Sequence, residues 1–79
     1  MTREKIYDKL NRVFQDVFDN ETLEIEDNTT ADDIEDWDSL THIDLVVAVE
    51  KEFGIKFSMG EVRKLQNVGE MVDIILKRI

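Results

Sequence analysis

The sequence predicts an all-α fold: a small four-helix bundle of three main helices and one short helix, with a long first loop. Three observations predict it. Proline is absent and the only glycines are Gly54, Gly60 and Gly69, so little in the backbone interrupts a helix. Apolar residues recur at three- and four-residue steps in three separate segments. No period-two run of β-branched residues is bounded by hairpin turn signals. The 79 residues are expected to form one domain spanning 1–79, with a modest core and little material left to enclose an active site.

The first helix begins after Thr2, a good N-cap followed by Glu4 in the first turn, with Met1 placed to staple onto Ile6. Ile6, Leu10, Val13, Phe14, Val17 and Phe18 make one wide apolar stripe, and the helix should end near Phe18. From Asp19 to Trp37 the pattern is irregular and acidic. Leu23, Ile25 and Ile34 are its expected apolar anchors, and Thr30 caps a short turn. A link this long in a small domain should be functional or pinned to the core.

Asp38 is the next N-cap, and a helix from Ser39 to Phe53 stops at Gly54, suited to a left-handed C′ position. Ser58 with Glu61 forms a capping box, and Phe57 with Val62 a hydrophobic staple, for a short third helix. Asn67 with Glu70 suggests a similar start for the last helix. Its buried face is expected to be Val68, Met71, Val72, Ile75 and Leu76, with Lys77 and Arg78 at its negative C-terminal pole.

The second helix is apolar on two sides. At about 100° per residue, Leu45, Val46, Val49 and Phe53 share one face, while Leu40, Ile43 and Val47 fall nearly opposite, with Asp44 among them. One small domain can hardly bury both, so the second face is expected to dock a partner; the plainer alternative is that the short third helix covers it. Ser39 opens this helix, where unpaired backbone N–H groups and the positive end of the macrodipole favour a phosphate. Asp36 and Asp38 oppose that charge, so such a site needs exposure to water. Plain capping is the competing explanation of an Asp-Ser pair before an apolar run.

Charge and composition narrow the function classes. With no cysteine, a disulfide scaffold, a thiolate metal cage and a catalytic thiol are excluded. The formal charge of −9 would meet the phosphates of nucleic acid with repulsion. Residues 13–50 hold thirteen Asp or Glu and no Lys or Arg, leaving ten basic against six acidic residues elsewhere. The middle of the chain is therefore the negative pole of a dipole, and a basic partner surface is its natural target. With no secretory segment, no eighteen-residue apolar run and no lipidation signal, the chain is expected to be soluble, cytoplasmic and monomeric.

An enzyme built on Ser39 would use His42 one turn on and borrow an Asp as orienter, but an oxyanion hole and a water-excluding pocket are not evident. An EF-hand reading fails on spacing, and no metal ligand set is expected. Asp32, Asp33, Glu35 and Asp36 read as a solvated run with at most weak cation binding. His42 reads as a helix-surface or pocket-edge residue against which Trp37 can pack. A non-enzymatic interaction module, including an acidic mimic of nucleic acid, is the serious alternative, and it makes Ser39 dispensable.

Asp38-Ser39-Leu40, at the head of an acidic and apolar helix, resembles the D-S-L signature of acyl carrier proteins. The similarity continues from Trp37 through Val46 and on from Val49 to Ile55, and length, acidity and helix order extend it over essentially the whole chain. The resemblance implies that Ser39 is the attachment point of 4′-phosphopantetheine, donated from coenzyme A by a Mg²⁺-dependent transferase, with Asp38 as the helix cap beside it. It implies a carrier that catalyses nothing and presents acyl thioesters to loading, condensing or transferring enzymes with basic patches. Leu40, Ile43 and Val47 match the family's apolar contact positions, and Asp44 and Glu50 match acidic ones. The family pattern also places the cargo beside the second helix, lined by Leu45, Val46, Val49, Val62 and Leu65. Lys51, Trp37 and Asp36 depart from the form common in fatty-acid synthesis, and W-D-S-L looks like specialised stand-alone carriers of polyketide, modified-sugar or other dedicated acyl transfers. A peptidyl or aminoacyl carrier is the nearer rival.

Overall fold

A computed structural model describes residues 1–79 and contains four α-helices and one short 3-10 turn, with no strand. Helix α1 (Arg3–Val17) is capped by Thr2, whose hydroxyl accepts from the Lys5 N–H. Met1 is 56% exposed and is not buried as a staple against Ile6. The helix stops where Asp19 turns left-handed at φ 49°, a conformation that Asp tolerates better than a bulky residue does. Helix α2 (Ser39–Phe53) ends at Gly54 with φ 65°, as its position after the apolar run predicts. Helix α3 (Met59–Lys64) opens with the Ser58–Glu61 capping box, and helix α4 (Val68–Arg78) with the Asn67 side chain accepting from the Glu70 N–H.

α1 packs against both α2 and α4. The core joins Ile6, Leu10, Val13 and Phe14 of α1, Leu45 and Val49 of α2, and Val68, Met71, Val72 and Ile75 of α4. Each such side chain contributes about 1.5–3 kcal/mol by leaving water. Helices of 6–15 residues have little stability alone, so this shared core is what holds them. Leu76, expected on the buried face of α4, is 37% exposed. Val68, Met71, Val72 and Ile75 already fill the stripe facing α1, and Leu76 lies at its margin, near the end of the helix.

The long link is pinned, not free. Its 3-10 turn, Ala31–Asp33, is boxed by Thr30 and Asp33, while Ile25, Ile34 and Trp37 are buried in the core and Leu23 is half-buried against it. The Ile25 N–H donates to Asn11 Oδ1 at 2.8 Å, and Gln15 Nε2 donates to the Leu23 carbonyl at 2.9 Å. At the start of α4, the Val68 and Gly69 N–H groups donate to the carbonyls of Thr29 and Asp27, each at 2.9 Å. Arg3 then clasps Asp27 and Asp73, and the Tyr7 hydroxyl donates to Asp27. The Tyr7 and Arg3 hydrogen bonds hold the Asp27 carboxyl below its usual range, and burial first, then that bond, pushes the Tyr7 phenol up to about 12.

α3 buries none of its residues fully and is held at its edges. Arg78 of α4 grips Glu61 with two donors, at 2.6 and 2.5 Å, and pulls that carboxyl down to about 2. No helix is long and apolar enough to cross a membrane.

Candidate functional site

Asp38 begins the site by fixing the first turn of α2. Its carboxylate accepts from the Leu40 N–H at 2.9 Å and the Thr41 N–H at 3.0 Å, while the Asp38 N–H donates to Thr41 Oγ1 at 2.8 Å. Those backbone donors, Thr41 first and Leu40 next, favour the charged form and lower the Asp38 pKa. The arrangement corrects one expectation. Two of the N–H groups foreseen as a phosphate seat are already taken by Asp38, so the start of α2 is not an open anion cradle.

Ser39 is the first residue of α2 and is exposed. Its hydroxyl takes no part in the network formed by Asp36, Asp38 and Thr41 around it. The second serine, Ser58, accepts from the Glu61 N–H and is committed as a cap. Of the two serines, Ser39 is therefore the one whose hydroxyl is free of hydrogen bonds within the chain.

His42 does not face Ser39 as a base. Its Nδ1 accepts from Trp37 Nε1 at 3.0 Å, and its Nε2 lies 3.2 Å from the Val62 carbonyl. One imidazole satisfies both contacts as the neutral Nε2–H tautomer, which ties the long link, α2 and α3 together. The Trp37 and His42 rings also stack, with centroids 6.0 Å apart. With both ring nitrogens engaged elsewhere, the Ser39 hydroxyl has no base to activate it, and a Ser-His hydrolase is not built here.

Beside Ser39 lies an open cleft of about 570 Å³ between α2 and α3. Trp37 and Met71, both core members, form its floor, and Ile43, Met59, Val62 and Leu65 form its apolar walls. His42, Arg63, Gln66 and Asn67 add polar groups to the lining. Val62 and Leu65, two of the five residues expected beside the cargo, border this cleft. Leu45, Val46 and Val49 do not: they are 0%, 6% and 0% exposed on the inward face of α2 and do not border the cleft. The helical period separated the two faces of α2 correctly, but the cleft opens beside the face that carries Ser39, His42 and Ile43. Met59, Arg63 and Gln66 were not foreseen, because the cleft joins segments distant in sequence and periodicity describes one helix at a time.

The outward face of α2 is bare. Leu40, Ile43 and Val47 are 79%, 54% and 43% exposed, so α3 does not cover them, and Asp44 is exposed among them. Glu50 differs from Asp44. It is half-buried, and its carboxylate accepts from the Phe57 N–H at 2.7 Å, holding the loop between α2 and α3. That bond commits it to the fold and makes it a lesser candidate for a partner's cation.

Residues 8–75 match the family described as "Phosphopantetheine attachment site". The chain is 36% identical over 78 residues to the acyl carrier protein of Coprothermobacter proteolyticus, covering 95% of this chain and 92% of that protein. It is 32% identical over 75 residues to the acyl carrier protein of Acidothermus cellulolyticus, covering 95% and 89% respectively. Its fold is similar to the solution NMR structure of a holo acyl carrier protein from Geobacter metallireducens. That comparison gives a TM-score of 0.85 and 42% identity, over 91% of this chain and 83% of that one.

Proposed function

The chain belongs to the phosphopantetheine-bearing acyl carrier proteins, a carrier and not an enzyme, and we propose on that footing that Ser39 is the attachment residue. One observation carries the choice: the Ser39 hydroxyl is exposed and unpartnered at the first residue of α2, beside an open cleft, whereas the Ser58 hydroxyl is consumed as a cap. When bound, 4′-phosphopantetheine supplies the thiol that a chain without cysteine lacks. Ser39 Oγ gives up its proton and forms the phosphodiester as 3′,5′-ADP leaves coenzyme A. With no base of its own nearby, it depends on a separate transferase for that step.

Asp38 acts as a positioning residue. It keeps the first turn of α2 closed on itself, so the phosphate finds few backbone donors and stays in water, held by its covalent bond alone. An arm so attached is free to swing between partners. Leu40, Ile43, Asp44 and Val47 form the face those partners read, with apolar contact at the centre and the Asp44 charge for a basic rim. The carrier works in the cytoplasm and delivers acyl groups to enzymes of fatty-acid, polyketide or other dedicated acyl synthesis.

Intact-mass analysis after incubation with coenzyme A and phosphopantetheinyl transferases of broad tolerance tests the assignment. Wild-type protein should gain one phosphopantetheine mass. Ser39→Ala should gain none while its stability changes by no more than about 0.5 kcal/mol, as for an exposed surface site. Unmodified wild type with every transferase tried, or loading that persists in Ser39→Ala, would defeat the proposal.

A further inference from the structure

An enzyme that acts on Ser39, or on what Ser39 carries, must cover the ground beside it, and on one side that ground is α3. Met59 is 68% exposed there, and Arg63, one turn further along the same side of the short helix, is exposed as well. Both border the cleft together with Ser39 and Ile43. The exposed apolar face of α2 therefore has a continuation in Met59.

Arg63 has no acid of its own. Arg3, Lys9 and Arg78 each pair with a carboxylate, whereas none pairs with Arg63. The positions three and four away from it hold Met59, Gly60, Gln66 and Asn67, so its neighbours along the chain supply no counter-ion. Asp38 is the one carboxylate that lines the cleft, and its Oδ1 is already the acceptor for Leu40 and Thr41. Of the cations left unpaired, Arg63 alone borders this cleft.

The two charges beside the apolar face lie on opposite sides of it. At about 100° per residue Asp44 turns away from Ser39, beyond Leu40 and Val47, and it does not border the cleft. α3 supplies Arg63 and Met59 on one side, Ile43 and Leu40 lie between, and Asp44 lies on the other. A partner that is basic all round suits Asp44 and opposes Arg63, because covering the guanidinium strips its water and sets it against like charge. A carboxylate at that point instead forms a charge-assisted pair and fixes which way round the partner sits.

We propose that the docking face extends onto α3 and carries two signs, and that the cognate enzymes meet it with a basic group opposite Asp44 and a carboxylate opposite Arg63, on either side of an apolar patch. This rests on Ser39 bearing the arm. Arg63 is then a specificity-determining residue, which favours enzymes with that carboxylate over enzymes whose entrance is wholly basic.

The test uses a phosphopantetheinyl transferase whose docking rim is basic throughout, together with variants in which each rim Lys or Arg is changed singly to Glu. Loading of the full chain at ~0.15 M salt, where distant charges are screened, is followed by intact mass for wild type, Arg63→Glu and Lys64→Glu. Lys64→Glu makes the same change of charge one residue on, at a position that does not line the cleft. With the unaltered transferase, Arg63→Glu should load roughly two- to fivefold faster than wild type, the range of one exposed charge contact, and Lys64→Glu should stay near wild type. One rim reversal should invert that preference and load wild type faster than Arg63→Glu, while the other reversals slow both carriers alike. Thermal melts identify any carrier that has lost its fold. If Arg63→Glu frays α3, Arg63→Gln should show part of the same gain, since it removes the like charge without adding an acid.

No acceleration in either Arg63 variant, equal acceleration in Lys64→Glu, or a set of rim reversals none of which inverts the preference overturns this inference alone. Failure of wild type to gain any mass overturns the assignment of Ser39 and this inference with it.

Discussion

Asp38 does two things at one place: it closes the first turn of α2 and it sets how much charge surrounds Ser39. Its carboxylate is the acceptor for Leu40 and Thr41, and those bonds lower its pKa. A carboxyl whose folded pKa is depressed stabilises the fold fully above its unfolded value, about 3.9 for Asp, and loses that contribution as pH falls through the folded value. Asn caps helices about as well as Asp but does not titrate. Denaturant titrations of wild type, Asp38→Asn and Asp38→Ala should therefore separate the cap from the charge. At neutral pH Asp38→Asn should stay close to wild type, and Asp38→Ala should be clearly less stable. Below the unfolded Asp value, wild type should lose stability relative to Asp38→Asn. A difference between those two that does not change with pH would mean that the carboxylate charge contributes nothing to the cap.

Among the elements, α4 shows how a loop can decide what a helix tolerates. Gly69 lies in its first turn, where glycine is ordinarily a liability and alanine an improvement of up to about 1 kcal/mol. Here a Cβ would sit 2.9 Å from the Asp27 carbonyl oxygen, the acceptor for the Gly69 N–H itself. Gly69→Ala should therefore destabilise, by pushing the pinned link off α4. Gly60→Ala, whose Cβ meets nothing within 4 Å in α3, should stabilise. Thermal melts of the two variants should move in opposite directions, and a gain in Tm for Gly69→Ala would show that the link is not held there. The sequence makes α4 legible through Asn67 and its apolar stripe, and α2 through Asp38, Gly54 and its two faces, because caps and periodicity are local signals. It hides the contact of Asp27 with Gly69, the Arg3 clasp, and the Trp37–His42–Val62 chain, because each joins segments that only the packed fold brings together. The same blindness hid the α2–α3 cleft, which Trp37 and Met71 floor and which Leu45, Val46 and Val49 do not border.

For the whole molecule the question is which of its many acids a partner feels. The chain measures 28 × 26 × 22 Å, and its acids are concentrated in residues 13–50. At about 0.01 M salt the Debye length is ~30 Å, so a basic enzyme senses the entire negative pole; at ~0.15 M it is ~8 Å, and only charges beside the docking face remain in range. Asp44 lies five residues beyond Ser39 on α2, a rise of about 7.5 Å. Asp16 of α1 borders the same shallow depression as Lys51, twelve residues and so about 18 Å along α2 from Ser39. Reversal of either to Lys should slow loading by a basic transferase at low salt, since both weaken the long-range field. Raising the salt should restore Asp16→Lys to the wild-type rate while Asp44→Lys stays slow, because the proposed docking face holds Asp44 and not Asp16. Glu50→Lys should behave differently again: it removes the acceptor of the Phe57 N–H, so its loss of stability should persist at every salt concentration. Stopped-flow association rates across the salt series, read beside thermal melts, distinguish the three. Equal recovery of Asp44→Lys and Asp16→Lys at high salt would leave the outward face of α2 with no special claim on the partner's charge.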